Sequence, residues 1–564
     1  MMNQIEKFPL DSMDIKQEQI SRLKQLFPEV FTEGNKLDWE KLKLTLGEDI
    51  DVGKERFGLN WAGKSNCFKL IQQPSTGTLV PAKEESINFD STENLFIEGD
   101  NLEVLKLLQK SYFGKVKMIY IDPPYNTGND FVYVDDFKDN LKNYLELTGQ
   151  VDTGGKKLST NVESDGRFHS NWLSMMYPRL FLAKNLLSDD GYMLISIDDK
   201  EQDNLKKLCN EIFGEENFIA NLIWDLGTGT AAGHFTRAHE YILVYARSKE
   251  STTNFKYYGE EDIISERAIK KISKANPASV VSFPAGLDFE STDRIFESEL
   301  GKSEIVRVVD GVMECKDGKL VRNISVEAGW AMKNQILSWL NGDTTFDSKG
   351  QTVRRFYFDK NGILQYEKER GFLNPQTILR KIASTRKGSM DLEKVLGYKS
   401  FDFPKPVDLM KFLFSLITKG DIIMDFFAGS ATTAHAILEL NREDGGNRKF
   451  ICVQIPEPTD ETSEAFKDGY KNIVEIGKER IRRVIKNFET EKENQEPDMF
   501  DGDKKPQDLG FKVFKLQSSN FATWDANVEK SIDVLTEKLF QHIDHISPEA
   551  EQDAILYELL LKAG

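Results

Sequence analysis

The run Met118-Ile119-Tyr120-Ile121 is closed by Asp122-Pro123-Pro124-Tyr125-Asn126, and few short stretches restrict a fold more strongly. Four consecutive apolar or aromatic residues, with no polar alternation, predict a strand covered on both faces, as in a parallel sheet flanked by helices. The prolines stop it, because neither can donate to a sheet ladder and each restricts the residue before it. The result is a rigid tip at the carboxyl edge of a sheet, where open α/β folds place their ligands. A proline-rich turn with a capping Asp is the purely structural alternative.

A tip of this composition suits one kind of chemistry. The exocyclic amine of a nucleobase is a poor nucleophile, because its lone pair is delocalised into the ring. Two acceptors aimed at its two hydrogens favour a more tetrahedral nitrogen. Asp122 offers a carboxylate and Pro123 a main-chain carbonyl, on a frame stiffened by Pro124. Tyr125 offers a ring on which an extruded base can stack.

A chain of 564 residues has room for about three or four domains. Hydrophobic residues make up 39% and charged residues 29%, enough to bury real cores. No apolar run approaches the roughly 18 residues of a membrane span. The start, Met1-Met2-Asn3-Gln4, shows no signal peptide. Cys67, Cys209, Cys315 and Cys452 are widely spaced and form no CxxC, which points away from a metal site or disulfide framework and towards the reducing cytoplasm. The net charge of −18 opposes nucleic-acid binding when taken alone. Residues 351–400, however, hold eleven Lys/Arg against five acids. An acidic chain with one basic segment fits an enzyme that touches DNA with one surface.

Along the chain, Gly58-Leu59-Asn60-Trp61-Ala62-Gly63-Lys64-Ser65 matches the spacing of a phosphate-binding loop, but no apolar strand precedes it, so an ATP site is not expected. From Asn94 the pattern is β-α-β. Leu95-Phe96-Ile97 forms a strand, Asp100 sits where it can cap a helix and also meet a cofactor amine, and the helix leads to the Met118–Ile121 strand. The polar stretch 147–171 is long enough for a loop that closes over an extruded base. A helix from Trp172 to Leu187 and strands at Gly191–Ile197, Phe218–Trp224 and Tyr241–Tyr245 follow. The α/β rhythm is lost over 250–396, which predicts an inserted domain. Arg354, Arg355, Arg380, Lys381, Arg386 and Lys387 are its candidates for contact with base edges and phosphates. The rhythm returns with Pro404 and Lys405, a helix, and a strand Ile422-Ile423-Met424-Asp425-Phe426-Phe427. A small-residue turn, Ala428-Gly429-Ser430-Ala431-Thr432-Thr433, leads into a helix expected from Ala434, whose free N–H groups and close backbone suit a ligand. The following strand ends at Gln454, about where such folds place a ribose acceptor, with Glu457 as a rival.

Asp-Pro-Pro-Tyr first, the Asp425–Thr433 turn some 300 residues later and an insert between them resemble the β group of amino-methyltransferases. Three stretches narrow the resemblance to the modification (Mod) subunits of type III restriction-modification systems: Ile97-Glu98-Gly99-Asp100-Asn101-Leu102-Glu103-Val104-Leu105, Arg448-Lys449-Phe450-Ile451, and Phe511-Lys512-Val513-Phe514-Lys515. The resemblance spans roughly residues 50–525. It implies a Rossmann-like α/β fold that binds S-adenosylmethionine and methylates adenine N6 of a flipped base in double-stranded DNA. Residues 1–88 would be a helical or irregular region and 89–249 the catalytic half of the core. A target-recognition domain would occupy 250–396, the cofactor-binding half 397–488, and an acidic linker with an α-rich C-terminal assembly element 489–564. The Phe427–Ser430 turn would cradle the methionine part of the cofactor, Pro404 and Lys405 would flank it, and Asp100 would meet the adenine end. A homodimer and a restriction subunit carrying ATPase and nuclease are the implied protein partners.

Two positions depart from the family pattern. Ala431 stands where a second glycine is usual, and a helical φ there would accommodate its methyl. Gln454 stands where Glu is frequent, and its amide carbonyl can still accept a hydroxyl. Cytosine-N4 methylation is the nearest alternative, disfavoured by Asp122 where those enzymes more often carry Ser. A DNA-recognition scaffold with methylation lost is the alternative from another class, and Ala431 is the feature in its favour.

Overall fold

The computed structural model describes residues 13–26, 59–127, 168–232, 234–255, 263–274, 276–348, 350–369, 374–493, 507–521 and 550–564, with a few isolated positions between them. The chain forms two compact units, one from 1–253 and 376–564, the other from 254–375.

The first unit carries strands β1 (Gly77–Pro81), β2 (Leu95–Glu98), β3 (Val116–Ile121), β4 (Leu187–Ile197), β5 (Phe218–Ala232), β6 (Phe235–Ala246), β7 (Ile378–Leu379), β8 (Ile422–Asp425), β9 (Lys449–Gln454) and β10 (Lys512–Ser518). They make one sheet in the order β1-β10-β2-β9-β8-β3-β4-β6-β5-β7. From β10 to β4 the strands are parallel, while β1 and β6 run antiparallel to their neighbours. The parallel centre follows from the continuous apolar runs: Met118, Ile119, Tyr120 and Ile121 are buried, as are Ile423, Met424, Phe450 and Ile451.

Helices cover the sheet: α1 (Lys64–Gln72), α2 (Asn101–Tyr112), α3 (Phe168–Leu186), α4 (Gln202–Phe213), α5 (Thr385–Leu396), α6 (Val407–Phe414), α7 (Thr432–Asp444), α8 (Ile473–Glu493) and α9 (Gln552–Ala563). Leu102, Leu105 and Leu108 of α2 and Trp172, Met176 and Leu180 of α3 enter one core with Ile119 and Ile121. Strands β8 and β3 are neighbours, with Ile423 opposite Met118 and Met424 opposite Ile119. Two segments some 300 residues apart thus deliver Asp122 and Asp425 to the same carboxyl edge.

The structure departs from the expected division at several places. Residues 376–396 belong to the first unit, because β7 adds to the edge of β5. Within the C-terminal segment, β10 joins the main sheet between β1 and β2, with Val513, Phe514 and Leu516 buried. Helix α9 rests on that side, its Tyr557 ring against Phe89 and Phe514. The N-terminal region contributes β1 to the same sheet. The proposed closing loop at 147–171 lies outside the described residues up to 167, and 168–171 open α3. Lys64 of the phosphate-loop look-alike binds the Leu59 carbonyl and Glu211.

The second unit is built from three small antiparallel sheets and a helix, Lys333–Leu340. Its aromatics close its own core: Phe283, Phe289, Trp330, Phe356, Phe358 and Tyr366 are all buried there. No helix among the described residues is long and apolar enough to cross a membrane. No cluster of three or more His, Cys, Asp or Glu among them is arranged to hold a metal.

Candidate active site

Asp122 follows the last residue of β3, and it clusters with the nearby Tyr125 and with two side chains from distant segments, Glu240 and Lys405. Lys405 places its Nζ 3.0 Å from Asp122 Oδ1 and 3.2 Å from Glu240 Oε2. The Tyr125 hydroxyl lies 2.8 Å from Asp122 Oδ1 and 3.1 Å from Glu240 Oε2, and accepts from Lys405 at 2.8 Å. One phenolic hydrogen serves one carboxylate at a time, so Lys405 must supply the remaining compensation. The Lys405 ammonium also stands 5.0 Å from the Tyr125 ring centre and 5.9 Å from that of Trp224. Sequence reading missed Glu240, which sits inside β6 with no local motif around it. Only the pairing of β6 with β4 brings it to the tip.

The proline frame is fixed from behind. Trp172 of α3 donates its indole N–H to the Pro124 carbonyl at 2.7 Å. Asn126 takes a left-handed φ of 59° and donates to the buried Glu201 at 2.6 Å. These contacts leave two acceptors open: no described residue donates to Asp122 Oδ2 or to the Pro123 carbonyl. Asp122 keeps 28% of its side-chain surface accessible, so a ligand can still reach it.

Burial pushes the Asp122 carboxyl above its usual range; Lys405 pulls it back and Glu240 adds to the rise. Burial works against the Lys405 ammonium, yet Asp122 and Glu240 outweigh it and hold the lysine more basic than usual. Burial and the two carboxylates keep Tyr125 a neutral phenol. Lys405 reaches the cluster because Gly388 of α5 lets the chain pass. A Cβ at Gly388 would meet the Pro404 carbonyl oxygen at 2.0 Å.

Asp425 ends β8 and organises the turn that follows. Its Oδ1 accepts from the Phe427 amide at 3.0 Å and its Oδ2 from the Thr433 hydroxyl at 2.6 Å. Gln454, at the end of β9, commits its Oε1 to the Gly429 amide at 2.7 Å, so this side chain braces the turn from below. Ala431 takes φ 60°, ψ 39°, a left-handed conformation instead of the helical φ that would accommodate its methyl. For an L-residue this costs roughly 1–2 kcal/mol. The hydroxyls of Ser430 and Thr432 are directed at Arg480 of α8, at 3.1 and 2.7 Å. The amides of Ser430, Thr432 and Thr433 donate to no described acceptor, leaving a fan of donors at the start of α7. Asp100 caps α2 through the amides of Leu102 and Glu103, and its other oxygen lies 3.6 Å from buried Arg179.

Burial pushes the Asp425 carboxyl up from 3.8 to about 7, against its bonds to Thr433 and Phe427, and Asp122 adds to the rise. The folded state therefore keeps a proton that the unfolded chain releases from about pH 4 upwards. Stability from this group is complete below that pH and is lost as pH rises towards 7. Asp425→Asn removes the charge while its amide oxygen still accepts from the Phe427 amide and its NH2 can donate to the Thr433 hydroxyl, which turns to accept. Its unfolding free energy relative to the native chain should improve by about 3 kcal/mol between pH 5 and 8. A pH-independent difference in urea unfolding would refute this.

The basic residues separate into two groups. Arg355 lies in the second unit and is consumed by Asp288, Glu290 and Glu367, so it is not a free DNA contact. Arg354 beside it is exposed. Lys387 pairs with Asp391 at 2.7 Å. Arg380, Lys381 and Arg386 are exposed around β7 and α5 of the first unit, outside the inserted unit to which the sequence assigned them.

A family model described as DNA methylase matches residues 116–465. Over 506 residues the chain is 36% identical to the EcoPI Mod subunit of Escherichia phage P1, a type III restriction-modification enzyme, covering 84% of this chain and 75% of that one. It is 31% identical over 531 residues to the EcoP15I Mod subunit of Escherichia coli, covering 88% and 77%. A solved structure, the M1.HpyAVI–SAM complex, aligns with a TM-score of 0.31 at 11% identity, covering 69% of this chain and 98% of that one.

Proposed function

Since this chain belongs to the Mod subunits of type III restriction-modification systems and to the DNA methylases, we propose that it transfers a methyl group from S-adenosylmethionine to N6 of an adenine flipped out of duplex DNA. The observation that carries the choice of reaction is the pair of open acceptors on one stiff tip, Asp122 Oδ2 and the Pro123 carbonyl. They suit the two hydrogens of an exocyclic amine, and accepting both returns the lone pair to nitrogen. Pro124, held by Trp172, fixes the direction of the Pro123 carbonyl. Tyr125 presents its ring to the base while its hydroxyl stays tied to the carboxylates and Lys405. The amine becomes strongly acidic once methylated, so Asp122 can take its proton, or pass it to solvent, without being a strong base.

The cofactor side fits the same reading. Bound S-adenosylmethionine supplies an electrophilic methyl group. The free amides of Ser430, Thr432 and Thr433 suit a carboxylate such as that of its methionine part. Asp425, Phe427, Ala428 and Gly429 set the backbone of the cradle, and Gln454 stiffens it from β9. Asp100, at the tip of β2 two strands from β8, suits the far end of the ligand. Pro404 and Lys405 join the two halves, since Lys405 binds the catalytic tip.

The exposed basic side chains Arg354, Arg380, Lys381 and Arg386 are the candidates for DNA contact in this reading. Lys387, already paired, contributes charge more than contact. A restriction subunit and a second copy of the chain are the protein partners consistent with the Mod family. Asp122 favours adenine N6 over cytosine N4. Incubating the chain with duplex DNA and isotope-labelled cofactor, followed by mass spectrometry of nucleosides, tests the proposal. N6-methyladenine is expected. Labelled N4-methylcytosine would overturn the base assignment, and absence of any label would overturn the activity.

A further inference from the structure

Arg480 of α8 is completely buried, yet no carboxylate among the described residues forms an ion pair with it. Its Nη1 donates to the Ser430 carbonyl at 3.2 Å, the Ser430 hydroxyl at 3.1 Å and the Thr432 hydroxyl at 2.7 Å. Its Nε faces His435 Nδ1 at 3.2 Å, and its Nη2 has no partner among the described residues. A buried guanidinium without a counter-charge in contact is costly, and its retention calls for a reason. The three contacts suggest one, because they grip the residues on either side of Ala431.

Ala431 is the strained residue of the turn, left-handed and fully buried. Left to itself, an alanine at this point prefers right-handed φ, which would turn the amides of Ser430 and Thr432 away from their present directions. Gly477, one turn before Arg480 on α8, faces the same turn: a Cβ built there would lie at contact distance, 3.4 Å, from Ala431 Cβ, Gly429 O and the Phe96 ring. Helix α8 thus packs against Ala431 and holds its neighbours.

We propose that Arg480 is a positioning residue that clamps the turn 430–432, compensating for an alanine where the turn geometry favours glycine. It touches no substrate; it fixes the direction of the donors at the start of α7. The effect on cofactor binding rests on reading this turn as the S-adenosylmethionine site, whereas the effect on the turn itself does not.

The clamp predicts a specific non-additivity. Arg480→Met should raise amide hydrogen exchange in a peptide spanning 426–436 about tenfold or more while leaving β3 and β4 peptides unchanged. It should weaken S-adenosylmethionine binding, read by titration calorimetry, by a similar factor. Ala431→Gly removes the need for the clamp. In that background Arg480→Met should lose less than a third of either effect. Arg480→Lys, which keeps a buried cation and some of the bonds, should fall between the two. Equal effects of Arg480→Met in both backgrounds would overturn the clamp, as would unchanged exchange in the turn or exchange that rises throughout the chain in both Met and Lys variants. If the native chain fails to bind the cofactor while the exchange pattern holds, the clamp stands and the cofactor assignment falls.

Discussion

Asp122→Ala is expected to lower methyl transfer roughly a thousandfold while leaving affinity for duplex DNA within about twofold. The fold should tolerate the change. Lys405 keeps Glu240 at 3.2 Å and the Tyr125 hydroxyl at 2.8 Å, so no buried cation is stranded. What disappears is one of the two acceptors, and with it the localisation of the amine lone pair. Asp122→Asn should be nearly as damaging, although it preserves shape. The Lys405 ammonium will draw the amide oxygen towards itself, which turns the NH2 group towards the amine hydrogens. Single-turnover methylation of pre-bound DNA measures the first effect and fluorescence anisotropy the second. Transfer within tenfold of the native rate in either variant would remove Asp122 from the chemistry.

Much of this site was legible in the sequence because its parts are strand ends. A continuous apolar run with an abrupt stop marks both the strand and the tip at Asp122 to Tyr125, whereas the apolar run Ile422–Phe427 carries the expected strand two residues past Asp425, where the structure ends β8. Their adjacency in space was legible only through the family order of motifs, since nothing local says that β8 pairs with β3. Asp100 was read correctly as a helix cap. The sequence reading of Ala431 took helical φ as the condition for its methyl, and the turn instead demands the left-handed region.

The rest was illegible for physical reasons that differ. Glu240 is one polar residue on a strand, and its partner set depends on which strand lies beside β6. Gly388 is a helix-interior glycine whose meaning is the passage of Pro404 against it. Arg480 lies on an amphipathic helix rich in charge, where a buried cation looks like its solvated neighbours. Arg355 shows the converse: a basic residue in a basic segment, read as a DNA contact, is spent on three carboxylates of its own unit. The stretch Phe511–Lys515 stands out in the sequence as a motif within a C-terminal assembly element, but so short a segment gives no sign of which strands it will lie between in a sheet.

Lys405 offers the sharpest test of the electrostatics, because it is the cation that contacts both Asp122 and Glu240. Lys405→Met keeps an unbranched apolar side chain of similar length and removes the charge that stands near the Tyr125 and Trp224 rings. Two carboxylates are then left to share a single phenolic hydrogen, an arrangement that favours protonation of Asp122. Asp122 is already above the usual range, and Lys405 is what pulls it back. Its pKa should climb further, so a larger share of the tip is protonated and can no longer accept from the amine. At pH 7 the rate should fall by about a hundredfold, and the acid limb of the pH–rate profile should move up by about one pH unit or more. Glu240→Gln acts in the opposite direction. Glu240 raises the Asp122 pKa, so its neutralisation should move the acid limb to lower pH. In the double variant the limb should return towards the native position. Single-turnover rates from pH 5 to 9 on pre-bound DNA resolve the three profiles. If the two single variants shift the limb the same way, the shared-proton account of Asp122, Tyr125, Glu240 and Lys405 is wrong, whatever the size of the rate losses.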